Sequence, residues 1–410
     1  MVEVKVLAGS KSIGGNFVRI EDGDKIIIFD QGIRFDVMNK FYSGFVTPKS
    51  VTELRALGIV PKPEWYEGSN GIYISHMHLD HLGVLSNIPV ETEVYLPSKK
   101  IYTEMENRWS SSPTWLSLVP GKYFLKIKEL KPLEEDGNNV MAIPVSHSAY
   151  PSYALLYFGK DETVLYTGDF RVESFLTEDE YFNLYNGQNL LEFLGKNKDV
   201  KVDTLVIEGT NFGSDRFPLA PKDAIETMKR LASSHSPLVT TLHGLDLEYT
   251  FALMKIASEL NLKCYVASEQ IASLLETMPK LPVELETIEE YVQNITSFER
   301  TTLEEVEEKA LYLVSYREIV DFIKDLASFK KLKRNVAAVL SEPEPQVEEA
   351  SEYNIIANWF SIMGVSTYRV RVSGHYYPYQ LKLIMNVIKP KEVKAIHTTN
   401  PNFIYNILGK

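Results

Sequence analysis

Over roughly the first 210 residues, short apolar runs alternate with polar and turn-forming positions. Phe17-Val18-Arg19-Ile20, Lys25-Ile26-Ile27-Ile28-Phe29, Gly71-Ile72-Tyr73-Ile74, Tyr153-Ala154-Leu155-Leu156-Tyr157-Phe158, Thr163-Val164-Leu165-Tyr166 and Thr204-Leu205-Val206-Ile207 are rich in β-branched and aromatic residues. Gly, Asp, Ser or Asn lies close to most of their ends, which predicts strands with short connections. The stretch from Arg34 to Tyr66 is irregular and carries Pro48, Pro61 and Pro63, as expected of a lid or a packing loop. From about residue 213 the period changes. Asp223 to Ser234, Leu247 to Leu260, Arg317 to Leu326 and Val347 to Phe360 are apolar at helical spacing. They alternate with short strands, Lys263 to Ala267 and Asn335 to Leu340, predicting a parallel-sheet α/β unit. The C-terminal part returns to the first pattern, with a strand, a helix after Pro378, a strand ending at Ile396 and a last helix. The expected organisation is a β-rich domain over 1–210, an inserted α/β domain over 211–367, and completion of the first domain by 368–410.

Composition narrows the chemistry. The chain has 410 residues, 44% of them hydrophobic and 24% charged, as in soluble globular proteins. A single cysteine, Cys264, excludes an intramolecular disulfide and a thiolate cluster, so a metal site must be built from His and carboxylate. No apolar run reaches the length of a membrane span, and Met1 to Leu7 alternates like a strand, without a signal-peptide core. A cytoplasmic location with no membrane partner is expected. The net charge of −12 does not suggest a basic nucleic-acid surface, although a local patch can bind phosphate on an acidic molecule.

The densest signal is Ser75-His76-Met77-His78-Leu79-Asp80-His81-Leu82-Gly83. An apolar strand delivers His76 and His78 with both imidazoles on one side of an extended segment. Asp80 and His81 follow where a helix should start. A lone His is ordinarily a satisfied surface or core residue, but His-x-His-x-Asp-His offers too many donors for one structural metal and suits two neighbouring ions. Two further ligands are expected at later strand ends, His147 after Ile143-Pro144-Val145 and Asp169 after Val164-Leu165-Tyr166. Taken singly, each could be an ordinary loop or turn residue.

In this order the motifs resemble the metallo-β-lactamase superfamily: Asp30 ending an early strand, the His-rich run at 76–81, His147, and Asp169. The resemblance implies an α/β fold, a metallo-β-lactamase αββα sandwich. It implies that His76, His78 and His147 hold one metal, that Asp80 and His81 hold another, and that Asp169 bridges them. Asp30 would orient a ligand imidazole or its loop, against the simpler reading of a turn cap.

Three later segments resemble the motifs of the β-CASP nucleases within that superfamily. These are Glu208 with Thr210 in Ile207-Glu208-Gly209-Thr210, Val372-Ser373-Gly374-His375, and Ile396-His397-Thr398. Gln380 to Lys391 further resembles the helix and turn of the ribonuclease J group. The implied fold has a β-CASP α/β domain inserted into the sandwich. The implied activity is metal-dependent cleavage of single-stranded RNA, exo- or endonucleolytic, with two divalent ions, zinc before manganese or magnesium. His397 would complete the second metal site, His375 would act on the phosphate or the leaving oxygen, and Glu208 would orient His375. Six of the eight histidines fall on these motifs, leaving only His235 and His243. His at the last position goes with RNA-processing members. The alternatives are a DNA nuclease of the same fold, a small-molecule hydrolase and a non-catalytic β-CASP subunit, and a homodimer stays open.

The chain departs from the ribonuclease J pattern in two places. A Gly-Ser-Gln-Gly stretch is replaced by Ser341-Glu342-Pro343-Glu344-Pro345, and an Ala-Ser after Ser-Gly-His by Tyr376-Tyr377-Pro378-Tyr379, so the usual 5′-phosphate pocket is not expected. The tyrosines would stack on bases or pack the fold. Candidate substrate contacts are Ser373, Gly374, Arg369, Arg371 and His243, with Arg216 and Lys330 to Arg334 as further cations, the latter run reading more simply as a solvated surface.

Overall fold

Strand alternation in the first part of the chain builds two sheets whose shared face is apolar. The computed structural model describes residues 2–42, 46–89, 91–106, 124–213, 218–332, 335–341 and 350–409. Strands β1 (Val2–Ala8), β2 (Phe17–Asp22), β3 (Lys25–Phe29), β4 (Gly71–Tyr73), β5 (Glu93–Leu96) and β6 (Lys126–Glu129) form a six-stranded sheet in that order. The first three are antiparallel neighbours, and β3 to β6 run parallel. Strands β7 (Val140–Pro144), β8 (Tyr153–Phe158), β9 (Thr163–Tyr166) and β10 (Thr204–Glu208) cross a second sheet, whose far edge is the C-terminal strand Glu392–Ile396.

Side-chain period decides the layers. Phe29 and Tyr73 of the first sheet share a buried cluster with Leu155, Tyr166, Val206 and Ile396 of the second, and the Phe29 and Tyr166 rings stack at 5.8 Å. Their chain neighbours Leu156, Leu165, Leu205 and Ile207 face the opposite side of the second sheet. There they pack against Leu190, Leu194, Leu381, Ile384 and Ile404 of the helices Leu190–Lys196, Leu381–Ile388 and Pro401–Leu408. The stretch after Arg34 is a packing element rather than a lid. It holds two short helices, Phe35–Met38 and Val51–Ala56, and buries Met38, Leu54, Ile59 and Val60 in one cluster with Val84. Ser50 caps the second helix by accepting the Glu53 amide at 3.2 Å.

The chain separates into two compact units, Met1–Arg216 with Gly374–Lys410, and Phe217–Ser373. The second holds a wholly parallel seven-stranded sheet: β11 (Leu238–Thr241), β12 (Lys263–Ala267), β13 (Glu286–Ile288), β14 (Glu299–Thr301), β15 (Ala310–Val314), β16 (Ala337–Leu340) and β17 (Ser366–Arg369). Their spatial order is β14-β13-β12-β15-β11-β16-β17. Helix Pro221–Ser234 leads into β11, and helices Leu247–Glu259, Glu269–Glu276, Ile319–Ser328 and Ala350–Met363 lie between strands of this sheet. Because β17 pairs with β16, Arg369 belongs to this sheet, and the divisions at 216/217 and 373/374 fall after the expected 210/211 and 367/368. Strand β18 (Glu392–Ile396) lies parallel to β10, with Glu208 opposite Ile396. The first unit is a metallo-β-lactamase-like α/β sandwich interrupted by a second α/β unit. Among the described residues no helix is long and apolar enough to cross a membrane.

One close approach constrains the sandwich. A Cβ at Gly32 would lie 1.6 Å from the Asp80 carbonyl oxygen, so backbone must move to admit it. Gly32→Ala is expected to cost about 1–3 kcal/mol, read as a lower urea midpoint at unchanged slope. Gly195→Ala, where nothing lies within 4 Å in the helix Leu190–Lys196, should stabilise slightly in the same measurement.

Candidate metal centre

Strand direction gathers the functional side chains at one end of the sandwich. β3 and β4 are parallel, as are β9, β10 and β18, and β7 joins that direction through two antiparallel steps. Glu208 ends β10, and the loops leaving the carboxyl ends of the other strands carry Asp30, His76 to His81, His147, Asp169 and His397, the end at which open α/β sheets bind ligands.

Asp30 turns at once after β3, with φ of +57°, a conformation that is strained for a residue other than glycine. Its carboxylate accepts from the Ser75 amide at 2.7 Å, the Ser75 hydroxyl at 2.8 Å and the Tyr166 hydroxyl at 2.6 Å. It also lies 2.7 Å from His81 Nδ1. A fully buried carboxylate on those partners is more than a turn cap. With Ser75 donating to Asp30, the Ser75 oxygen is left to accept from His76 Nδ1 at 3.1 Å. Asp30 therefore fixes two imidazoles so that Nε2 of each points away from it. His147 Nδ1 donates to the Gly374 carbonyl at 2.6 Å, and its Nε2 lies 3.3 Å from His78 Nδ1.

Asp169 is the meeting point. Its Oδ2 lies 3.0 Å from His81 Nε2, 3.4 Å from His397 Nε2, and 3.9 Å from both His76 Nε2 and His147 Nε2. Asp80 Oδ2 stands 3.1 Å from His397 Nε2 and 3.8 Å from His81 Nε2. His397, with φ of +52°, is held by its other nitrogen on the Thr210 hydroxyl at 2.7 Å. That hydroxyl in turn donates to Glu208 at 2.8 Å. The second Glu208 oxygen lies 3.0 Å from His375 Nδ1, so one fully buried carboxylate positions both late histidines.

Charge follows this geometry. Burial pushes His76 and His147 well below the usual imidazole range, and nearby imidazoles add to it: His81, His147 and His78 around the first, His78 and His375 around the second. Burial opposes the charge on His81 too, but Asp169, Asp80 and Asp30 outweigh it and raise that group. Burial likewise opposes ionisation of Asp80 and Asp169. His81 and His397 overcome it at Asp80, and His397, His81 and His375 overcome it at Asp169, holding both below the carboxylate range. His375 is raised despite burial, through Glu208 and then Asp169.

The donor set fits divalent ions. His76, His78 and His147 form one close group, and Asp80, His81 and His397 another; His76, His81 and Asp169 form a third that connects them. His76 Nε2 and Asp169 Oδ1 are buried without a hydrogen-bond partner among the described residues, a costly state that a cation would relieve. Imidazole and carboxylate, without sulfur, match a hydrolytic centre.

The other expected residues lie as follows. Gly374 is in the first unit, where its carbonyl holds His147 and a Cβ would come within 2.8 Å of the His147 ring. Ser373, Arg369, Arg371 and His243 belong to the second unit. There Arg369 lies over the Tyr353 ring at 5.2 Å, Ser373 is buried, and exposed His243 accepts the Leu245 amide at 3.2 Å. Arg216, Lys333, Arg334 and residues 342–345 lie outside the described residues. Tyr376 packs the core against Phe170 and Phe212, and its hydroxyl donates to the Glu208 carbonyl at 2.8 Å, whereas Tyr379 is 70% exposed. Sequence reading missed Tyr166 and Arg171. Tyr166 looked like one more strand aromatic, yet its hydroxyl links Asn16 to Asp30. Arg171, two residues beyond Asp169, donates to the His147 carbonyl at 3.2 Å; only its closeness to the motif could have marked it.

Replacing Asp30 by Asn keeps the shape but removes the anion that orients His81. Affinity for zinc is expected to fall about 10- to 100-fold, with the far-ultraviolet circular dichroism unchanged. Chelator competition measures it, and parental affinity would reduce Asp30 to a turn residue.

No known-family profile matches the chain. It is similar to proteins named Ribonuclease J: 30% identical over 90 residues to that of Pyrococcus abyssi, covering 22% of this chain and 20% of the relative. Those of two Helicobacter pylori strains are 21% identical over 425 aligned positions, covering 97% of this chain and 56% of each relative. The chain thus spans little more than half the length of the relatives it matches most fully. A crystal structure of a protein of unknown function from Enterococcus faecalis superposes with a TM-score of 0.72 at 20% identity, covering 98% of this chain and 95% of that one. That likeness is one of fold.

Proposed function

We propose that the protein is a two-metal phosphodiesterase that cleaves single-stranded RNA, with a β-CASP domain as its inserted unit. The observation that carries this reading is the convergence on Asp169 Oδ2 of His76, His81, His147 and His397, contributed by three separate segments, within 3.0–3.9 Å. The similarity to proteins named Ribonuclease J over 97% of the chain supports RNA as the substrate.

His76, His78 and His147 would hold one ion, Asp80, His81 and His397 the other, and Asp169 would bridge them. When bound, such ions supply Lewis-acid charge at the phosphoryl oxygens and an acidified water. The protein supplies the rest. Anionic Asp80 and buried, anionic Asp169, with neutral His76 and His147, present the protonation states that a cation needs. Glu208 holds His375 by Nδ1, which leaves substrate contact to Nε2. Glu208 and Asp169 raise the proton affinity of His375 despite its burial, which favours the protonated ring that could donate to a phosphoryl oxygen or to the departing alkoxide. Glu208 is therefore a positioning residue and His375 an acid. The molecule's net charge of −12 makes approach by RNA depend on local cations rather than on the overall field.

Asp80→Ala is expected to lower RNA cleavage at least about a hundredfold while the protein remains folded, and His375→Ala to lower kcat by about 10² to 10⁴ with zinc affinity retained. Digestion of RNA labelled at either end, with matched DNA alongside, reads both effects and gives polarity. Parental cleavage by Asp80→Ala would remove the metal assignment; DNA cut in place of RNA would remove the substrate assignment.

A further inference from the structure

Beside Asp80 lies a cavity of about 280 Å³ that the metal chemistry does not use. Its walls come from the turn after β1, the start of the Arg34 segment and the approach to Tyr66. The charged residues lining it are Lys11, Arg34 and Lys62; no carboxylate lines it, in a chain with 55 acidic residues against 43 basic. Arg34 is paired with Asp36 at 2.7 Å on a part-exposed surface. Lys11 and Lys62 are exposed and have no carboxylate partner among the described residues. Trp65, half-buried, supplies an aromatic wall.

The cavity is tied directly to the candidate metal centre. Gly15, in its wall, donates its amide to the Asp80 carbonyl at 3.0 Å, and Gly32, also in its wall, approaches that oxygen too closely to admit a side chain. The Asp80 side chain is 21% exposed, while those of Asp169 and Glu208 are at most 2% exposed. A strand whose phosphate reaches the centre across Asp80 would carry a neighbouring nucleotide to this cavity. β1 runs in the same direction as β3, so its loop emerges at the end of the sandwich where the metal donors emerge.

We propose that Lys11, Lys62 and Trp65 form a nucleotide subsite that binds a phosphate of the RNA strand next to the scissile one. It rests on the nuclease reading above. Two ammonium groups without a carboxylate partner among the described residues, in a cavity that no carboxylate lines, select an anion and reject a cation or an amine. The indole offers a face to sugar or base without reading sequence. The phosphate is either an internal diester or a terminal monoester, two sources of the same chemistry.

Binding of labelled oligoadenylate to the full chain, in chelator so that no cleavage occurs, tests the subsite across a potassium chloride series. Lys11→Ala/Lys62→Ala is expected to weaken binding about tenfold at low salt. It should also flatten the slope of log K against log salt by about 0.7–1.4, the release of one or two phosphate contacts. Lys198→Ala/Lys201→Ala, removing two exposed charges elsewhere, should leave the slope unchanged. Equal losses with 5′-hydroxyl and 5′-phosphate oligonucleotides identify an internal diester; loss confined to the 5′-phosphate form identifies a terminal one. Parental affinity and slope in the first double variant, or the same loss in the second, would overturn the subsite. RNA cleavage with zinc added, measured separately, decides the nuclease reading: a protein that cuts RNA but ignores the Lys11 and Lys62 changes keeps that reading and loses only the subsite.

Discussion

A carboxylate buried among imidazoles sets the terms for everything else in the first unit. Asp169 is 2% exposed, and burial alone would keep it neutral. Its charge survives because His397, His81 and His375 surround it, and each of these must be delivered by a different part of the chain. The two sheets, the short loops and the return of the C-terminal segment can be understood as the scaffold that this one group requires. Positions that look secondary, such as the buried carboxylates of Asp30 and Glu208, are the struts. One holds His81 and the Ser75 turn; the other holds His375 directly and His397 through Thr210.

The two struts divide the work by position in the chain. Asp30 governs donors from the first sheet, all within residues 30–81. Glu208 governs the two late histidines, and it does so from the end of β10, the strand that pairs with β18. This register is what brings His397 opposite Asp80. A slip of one residue in a parallel pair reverses every side chain, so the register is fixed by the alternation that buries Leu205 and Ile207 on one face and Val206 on the other. Core packing and ligand placement are here a single constraint.

Much of this was legible in the sequence, for a physical reason. Strands of the sandwich are short and strongly alternating, so β3, β8 and β9 were recognised to the residue, and ligand-type side chains at their ends stood out against a chain with only eight histidines. What was hidden depended on three-dimensional partners. Tyr166 differs from Tyr157 only in what its hydroxyl meets: Asp30 for one, Asp22 for the other. The strand leading to Ser373 gave no sign that it would join β16, because a four-residue run has the same pattern in either sheet. The segment after Arg34 looked irregular because its helices are only four and six residues long, too short to show a period. The tyrosines after His375 separated in a way that composition could not foretell, Tyr376 entering the core and Tyr379 facing solvent.

The pairing of β10 with β18 joins segments that synthesis places far apart. A chain growing on the ribosome acquires Asp30, the 76–81 run, His147, Asp169 and Glu208 long before it acquires His397, and until then Thr210 and Asp80 lack the imidazole that bridges them. Until residue 397 has emerged, the growing polypeptide therefore lacks one of the imidazoles that stand beside Asp169, although Asp80, His81 and Asp169 are already in place.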